Sequence, residues 1–379
     1  MGEWLECKLG DVLSFVSKGT TPNEKMGGFA NAGVNYIKSD AISYDGRIDK
    51  TQFVKISNHV HQALKRSQLK KDDVLFSMAG AYMGKTGIIT EEMLPANTNQ
   101  AVAILRARTD KILVKFMGYH LRLPTTIDYV NNLSGQSAQP NINFEEIKSL
   151  MISLPTVAEQ KAIAEVLSSL DDKIDLLHRQ NKTLESLAET LFRHWFIDGA
   201  QDDWEMGALG SLISISSGKG LKRSDFDETG KYKVLGANGE IGKCNTFNFD
   251  ERLLFTGRVG TLGNIFIVNE RAWLSDNTLV IKVPASQNFY FVYFTLKMAD
   301  LGSMNVGSTQ PLIRQSEVKE IQVLAPDSNL LEQFHTVCEV LFEKLEQNKQ
   351  QITKQEKLRD TLLPKLMSGD VRVAYEAAT

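Results

Sequence analysis

Residues 79–86, AGAYMGKT, have the strongest look of chemistry, because Gly84-Lys85-Thr86 is the closing half of a phosphate-cradling loop. Such a loop needs glycine at position 79, where Ala79 stands; Gly80 comes one residue too late, and GIIT behind it reads as strand rather than helix. Nucleotide hydrolysis is therefore not expected. His59 and His61 could touch a metal, but no Cys or carboxylate stands at ligand spacing around them. Cys7, Cys244 and Cys338 are odd in number and far apart, which fits neither a disulfide framework nor a zinc site. Asp72-Asp73, Glu91-Glu92 and Glu145-Glu146 read as solvated turns or helix starts with no acid–base partner. No two prolines are adjacent, so the Pro-Pro-aromatic loop of amino-methyltransferases is absent, as is a GxGxxG behind a strand. Neither a catalytic residue nor a metal site is expected in this chain.

The polar chemistry that remains is recognition chemistry, carried on turns. It comprises Lys18, Lys38, Lys85, Gln100, Ser137 and Gln139 in the first half, and Lys219, Lys222, Arg223, Asn238, Arg258, Asn277, Gln310 and Arg314 in the second. Amide and guanidinium groups read base edges, while Lys, Ser and the backbone amides of glycine turns suit phosphates. These are the candidate DNA contacts, although any one of them alone is also an ordinary turn residue. The net charge of −3 argues against nucleic-acid binding as an average, yet the charge is unevenly spread. Residues 1–155 hold 18 basic against 15 acidic side chains, whereas residues 156–198 hold 5 against 8 and residues 327–370 hold 6 against 8.

The elements that must position these turns are written twice. WLECKLGDVLSFVSKGTTP at Trp4 recurs as WEMGALGSLISISSGKGLK at Trp204, so Leu9-Gly10 falls on Leu209-Gly210. VLFSMAGAYMGKTGII pairs with LLFTGRVGTLGNIFIV, NQAVAIL with NTLVIKV, and GQSAQPNI with GSTQPLI, at an offset that shrinks from about 200 to about 171. The first copy carries roughly 25 to 30 extra residues, mostly before Gly80. Each copy opens with short Val/Ile/Phe/Tyr runs separated by Gly, Asn, Asp and Pro, which predicts a β-rich body with few helices; VKFMGYHLR and NFYFVYFTLKMA are the helical stretches.

A long polar helix then closes each copy. Pro155, Thr156 and Glu159 carry the N-cap signature for the first. Its seam runs Ile163, Leu167, Leu170, Ile174, Leu177, Asn181, Leu184, Ala188, Leu191, Trp195 in alternating steps of four and three, the heptad spacing of a coiled coil with one polar, register-selecting position. The second gives Phe334, Cys338, Leu341, Leu345, Asn348, Ile352, Gln355 and, after a shift, Leu358 and Leu362. Pseudo-twofold symmetry favours antiparallel pairing of the two. At ~1.5 Å per residue the seam from Ile163 to Trp195 spans about 50 Å, with the two bodies expected at opposite ends.

These residues resemble the specificity (S) subunits of Type I restriction-modification systems. The resemblance covers nearly the whole chain and is carried by LPTVAEQKAIAEVLSSLDDKIDLLHRQNKTLESLAETLFRHWFID, KQEKLRDTLLPKLMSGDVRV, YKVLGANGEIGKCNTF with GRVGTLG, and the SAQPNI and STQPLI turns. It implies two target recognition domains, each reading half of a bipartite double-stranded DNA site, held apart by two antiparallel helices. It further implies no catalysis in this chain, two methyltransferase subunits docked along the helices, and restriction subunits beyond them. S-adenosylmethionine, ATP and Mg would be bound on those partners. The two copies differ greatly over residues 36–68 and 232–251, so the half-sites should differ.

The expected fold is α+β: two α/β, β-rich recognition domains separated by long antiparallel coiled-coil helices, as an internal duplication. The expected segments are recognition domain 1 at 1–153, central helix 154–198, recognition domain 2 at 199–326, distal helix 327–370 and a tail at 371–379. No apolar run approaches the ~20 residues of a membrane span and no secretory leader opens the chain, so a cytoplasmic location is expected. The rival reading is a non-catalytic coiled-coil scaffold whose paired Gly-rich domains bind protein or glycan ligands.

Overall fold

The computed structural model describes residues 4–80, 83–133, 141–259, 262–304 and 312–374. The chain divides into two compact units, residues 1–176 with 351–379, and residues 177–350. Each unit therefore takes its globular body from one copy and a stretch of both long helices.

Among the described residues, the first unit contains nine short strands in three sheets. β1 (Leu5–Lys8) pairs antiparallel with β9 (Met151–Leu154). A four-stranded antiparallel sheet runs in the order β2 (Leu13–Lys18), β8 (Val102–Ala107), β5 (Val74–Ser77), β6 (Thr86–Ile88). A smaller sheet centres on β3 (Val34–Ile37), antiparallel to β4 (Val54–Ile56) and parallel to β7 (Ala96–Thr98). Among the described residues, four α-helices belong to this body: α1 (Asn58–Ala63), α2 (Val114–Leu121), α3 (Pro124–Leu133) and α4 (Phe144–Ser149). Gly-Lys-Thr leads into β6, not into a helix, so the phosphate-loop pattern has no helix N-terminus behind it.

The second unit repeats the plan strand for strand. β10 (Met206–Ala208) pairs with β18 (Gln322–Leu324). The larger sheet runs β11 (Ser214–Ser217), β17 (Thr278–Lys282), β14 (Leu253–Gly257), β15 (Ile265–Val268). The smaller sheet centres on β12 (Tyr232–Gly236), antiparallel to β13 (Gly239–Cys244) and parallel to β16 (Ala272–Leu274). α6 (Phe289–Met298) corresponds to α2, and α7 (Gln315–Lys319) to α4. The duplication read from the motifs is thus a duplication of topology, register direction included. Even the close approaches recur: a Cβ on Gly10 would come within 2.9 Å of Lys148, and one on Gly210 within 3.0 Å of Lys319.

The central strands of the larger sheets are buried on both faces, which is why VLFS, VAIL, LLFTG and TLVI read as continuous apolar runs. In the first unit Val74, Phe76 and Leu105 face α2 and the helical end, while Leu75 and Ile104 face the smaller sheet. In the second, Leu254, Leu279 and Ile281 face α6, while Leu253, Phe255 and Val280 face the smaller sheet. Each such side chain contributes roughly 1.5–3 kcal/mol by leaving water.

The long helices are α5 (Val157–Arg193), which ends in a π turn at His194–Asp198, and α8 (Ser328–Ser368). Thr156 Oγ1 accepts from Glu159 N–H at 3.3 Å, which seats the start of α5. In the first unit, Ile163 and Leu167 share a core with Leu363, Leu366 and Met367, and Asp171 accepts from Arg359 Nη1 at 3.1 Å, so the two helices run antiparallel there. In the second unit, Phe192 and Phe196 pack tilted and edge-on against Phe334, and Asn348 Nδ2 donates to Asn181 Oδ1 at 2.9 Å, again antiparallel. Ile163, Leu167, Ile174, Leu177, Asn181, Ala188, Phe334, Cys338, Leu345, Asn348 and Ile352 are buried, and Leu170, Leu184, Leu191, Trp195, Leu341, Gln355 and Leu362 are half-buried. Leu358 is a correction: it is 45% exposed, and Arg359 takes the interior position. The reason is Asp171, which gives the Arg359 guanidinium an acceptor at the helix interface and so removes the cost of turning a charge inward. No described helix is long and apolar enough to cross a membrane.

Candidate nucleic-acid interface

In each unit several of the described turns singled out above lie at one end of the two sheets, where β2 or β11 ends and β8 or β17 begins. The first unit builds this rim from three strand ends. Beyond Lys18, Gly19 N–H donates to Val102 O at 3.2 Å and Thr20 N–H to Thr98 O at 3.0 Å. Gly19 is needed there, because a Cβ would meet Thr98 O at 2.0 Å. Thr98 Oγ1 donates to Ile37 O at 2.7 Å, which holds the end of β3 and so the base of Lys38. The Tyr36 hydroxyl donates to Thr20 O at 3.0 Å, and burial raises its pKa, which keeps it a donor. Thr21 Oγ1 donates to Gln100 Oε1. Lys18, Lys38 and Gln100 are thereby brought together.

The second unit builds the same rim with other side chains. Gly218 N–H donates to Thr278 O at 3.2 Å and Lys219 N–H to Leu274 O at 2.9 Å; a Cβ on Gly218 would meet Ser275 O at 2.1 Å. Trp273 Nε1–H donates to Lys219 O at 2.9 Å, fixing the backbone beneath the Lys219 side chain. Arg258 N–H donates to Asn277 O at 2.8 Å, and Arg258 Nη1 and Gln315 Nε2 both reach Ser217 Oγ, at 3.4 and 3.3 Å. Lys219, Arg258 and Asn277 thus share one edge with Ser217 and Gln315.

The described residues that lead into the Gly-rich loops meet those that follow the Gln-Pro motifs. Ala79 bridges Asn141, and Ile142 N–H donates to Met78 O at 2.8 Å; Val259 bridges Leu312, and Ile313 N–H donates to Arg258 O at 3.1 Å. Ser137, Gln139 and Gln310 lie outside the described residues. Lys85 stands on the strand side of the loop, 6.0 Å from the Tyr44 ring centre. Arg314 is exposed at the start of α7, where its N–H donates to Glu317 Oε2 at 3.1 Å. Lys222 and Arg223 are exposed beside Phe226, and Asn238, at the tip between β12 and β13, accepts from Asn264 Nδ2 at 3.0 Å. These last three lie on the smaller-sheet side. Lys18, Lys219, Lys222, Arg223 and Arg314 form no ion pair with another described residue, so their charge is available to an anion.

Three residues on or beside the rims were not legible in the sequence. Phe29, 45% exposed, packs edge-on against Tyr36 at 5.3 Å, with the Lys38 ammonium 4.8 Å from its ring centre. Ser217 and Trp273 are the others. Only Ser217 had a usable signal, since Ser217-Gly218 aligns with Lys18-Gly19. His61 Nδ1 is 2.5 Å from Asn97 Oδ1, which gives it a structural partner, and no group of three or more His, Cys, Asp or Glu among the described residues could hold a metal ion.

A duplicated β-rich fold that presents basic and amide side chains from strand ends, differently in each copy, defines a two-domain recognition protein. The family of Type I restriction modification DNA specificity domains matches residues 1–186 and again residues 201–355, and the chain belongs to that family. It is similar to the Type I restriction enzyme MjaIX specificity subunit of Methanocaldococcus jannaschii, with 25% identity over 98% of this chain and 94% of that one. The HindI specificity subunit of Haemophilus influenzae is 20% identical over 98% of this chain and 100% of its own length. In fold, the chain is similar to the crystal structure of a Type I restriction-modification S subunit from M. genitalium, with a TM-score of 0.63 and 20% identity, covering 99% of this chain and 97% of that one. The chain is thus a DNA sequence-recognition subunit of the restriction-modification class, and two specificity domains in one chain fit a target in two parts.

Proposed function

We propose that each unit reads one half of an asymmetric bipartite duplex, using Lys18, Lys38 and Gln100 on one rim and Lys219, Arg258 and Asn277 on the other. The observation that carries this reading is the repetition of one rim with different chemistry. The same backbone bonds recur at Gly19 and Gly218, whereas the Lys18, Lys38 and Gln100 set on one side is replaced by an Arg-Asn-Ser set on the other. Guanidinium groups favour guanine and amides favour adenine, so two such rims do not read the same bases.

The chain carries no catalysis in this reading. The paired helices act as spacer and as docking surface for two methyltransferase subunits, and restriction subunits complete the assembly in the cytoplasm. S-adenosylmethionine, ATP and Mg are held by those partners. The acidic excess of the helical segments suits protein neighbours better than phosphates. Because methylation of a base in duplex DNA requires it to leave the stack, the reader fixes the register while the partner takes the base.

Exchange of residues 1–150 for the corresponding part of another family member tests this. In complex with its methyltransferase, the hybrid should keep one half of the methylated motif and change the other. A hybrid that alters both halves, or neither, contradicts the assignment of one half-site to each unit.

A further inference from the structure

The extra residues of the first copy fill a space that the second copy leaves open. In the first unit, residues 41–49 fold into a tight turn: Ile42 bridges Ile48, Ser43 N–H donates to Arg47 O at 3.0 Å, and Arg47 Nε donates to Asp45 Oδ2 at 2.6 Å. Ile48 lies so close over Gly87 of the outer strand β6 that a Cβ there would come within 2.5 Å of it. Gly46, at φ +92°, leaves no room for a Cβ beside the Arg122 guanidinium. Burial works against the charge on Arg47, but Asp45, and further off Asp175 of α5 and Glu356 of α8, sustain it. A cation and a β-branched side chain thus occupy the place between an outer strand and acidic residues of both helices.

The second unit repeats these surroundings without the turn. Along the helices the copies correspond at a displacement of 171 residues, as Ile163 does to Phe334, Ile174 to Leu345 and Leu191 to Leu362. By the same displacement Asp175 corresponds to Glu346, and Glu356 to Glu185. Both glutamates line a groove of about 570 Å³ against β15. Its floor is aromatic, with the Tyr293 and Phe342 rings edge to face at 5.6 Å, and Ile265 and Ile267 form its strand wall. β15 pairs only with β14, so among the described residues its other edge carries no strand. Glu185, Glu343 and Glu346 are exposed and form no ion pair with a described residue. Burial, with the charges of Glu185 and Glu189 behind it, pushes the Tyr293 phenol up to about 12, so the floor stays neutral under an acidic rim.

We propose that this groove of the second unit docks a partner protein through an extended segment that presents Lys or Arg next to a β-branched side chain, as Arg47-Ile48 does in the first unit. An open strand edge offers main-chain hydrogen bonds to such a segment, the aromatic floor takes its apolar side chain, and the glutamates take its cation. Of the charged residues in the lining, Arg252 is paired with Glu339, and Glu185, Glu343 and Glu346 outnumber Lys349, so the groove disfavours phosphates and a nucleic acid is the wrong occupant. The inference rests on the internal duplication and stands independently of which bases the rims read.

The probe is the chain's own turn, the peptide AISYDGRID, labelled and titrated into the full-length protein. Saturable binding is expected, and Glu185→Lys combined with Glu346→Lys should weaken it at least about tenfold. Arg47→Glu within the peptide should weaken it comparably, while Asp175→Lys in the protein, a change in the first unit, should leave it unchanged. All protein substitutions are of surface side chains, and circular dichroism checks that the variants keep the native fold. Failure to saturate, or binding that survives the double charge reversal in a folded variant, overturns the proposal.

Discussion

Arg258 and Lys219 stand on one rim but meet it in different ways, and they should fail in different ways. Arg258 is half-buried and aimed by Ser217, so its guanidinium is pre-set for a base edge; Lys219 is exposed, and only its backbone is pinned. Arg258→Ala should cost about 1–3 kcal/mol against the cognate sequence and relax one base position in one half-site. Lys219→Ala should weaken cognate and non-cognate duplexes alike and reduce the salt slope by about one. Titrations of the assembled methyltransferase complex with cognate and single-mismatch duplexes at several salt concentrations separate the two.

His120 makes the first unit sensitive to acid. The ring is 7% exposed, Nε2 lies 2.9 Å from Met151 O, Nδ1 has no partner, and burial lowers its pKa to about 4. Its unfolded counterpart takes a proton near pH 6.5, so protonation favours the unfolded chain as pH falls from there toward 4. Stability is unaffected above that window and declines through it, by up to about 3 kcal/mol from this group. Urea midpoints between pH 7.5 and 4.5 should fall for the native protein and fall less for His120→Gln. Identical profiles would remove His120 from the account.

At the scale of elements, the two helices show what a spacing pattern can and cannot reveal. Steps of four and three were enough to place Ile163, Leu167, Ile174 and Leu177 at an interface, because heptad spacing leaves them one face. Beyond Gln355 the pattern misled, since Leu358 is the apolar residue but Arg359 has the buried partner. Nothing in the periodicity reports an acceptor nearly two hundred positions away. The turn at residues 41–49 was illegible for a related reason: SYDGR has no repeat, and its place is set by a glycine opposite, Gly87, whose significance is the side chain it lacks. The rims were half legible, since residue types marked Lys18, Gln100 and Arg258, whereas Phe29 and Trp273 are ordinary aromatic residues in sequence.

The interior asparagines of the second unit carry their own prediction. Asn348 is fully buried and spends Nδ2 on Asn181, while its Oδ1 has no partner. Asn348→Ala should destabilise by roughly 1–3 kcal/mol, because Asn181 is then left unpaired in the helix interface. Leucine at both positions should be more stable than the native pair, at the expense of a polar contact that fixes register. Thermal melts of the single and double variants decide it, and a double variant less stable than Asn348→Ala would show that the pair is not merely tolerated polarity.

At the scale of the whole molecule, duplication and divergence together explain the function. One topology is used twice, down to the parallel strand in each smaller sheet and the glycine beneath each rim. What differs is what the rim presents and what the extra residues of the first copy cover, so the two units expose different surfaces. A net charge of −3 is compatible with DNA recognition because the acidic excess lies mostly in residues 156–198 and 327–370, outside the turns that form the rims.

The most direct measurement is sequencing of methylated bases in a host that carries this chain with its methyltransferase, against the same host lacking only this chain. The account predicts a methylated motif in two unlike parts separated by an unread gap, lost entirely on deletion. Methylation unchanged by the deletion, or a palindromic motif, would contradict it and leave a scaffold as the better description.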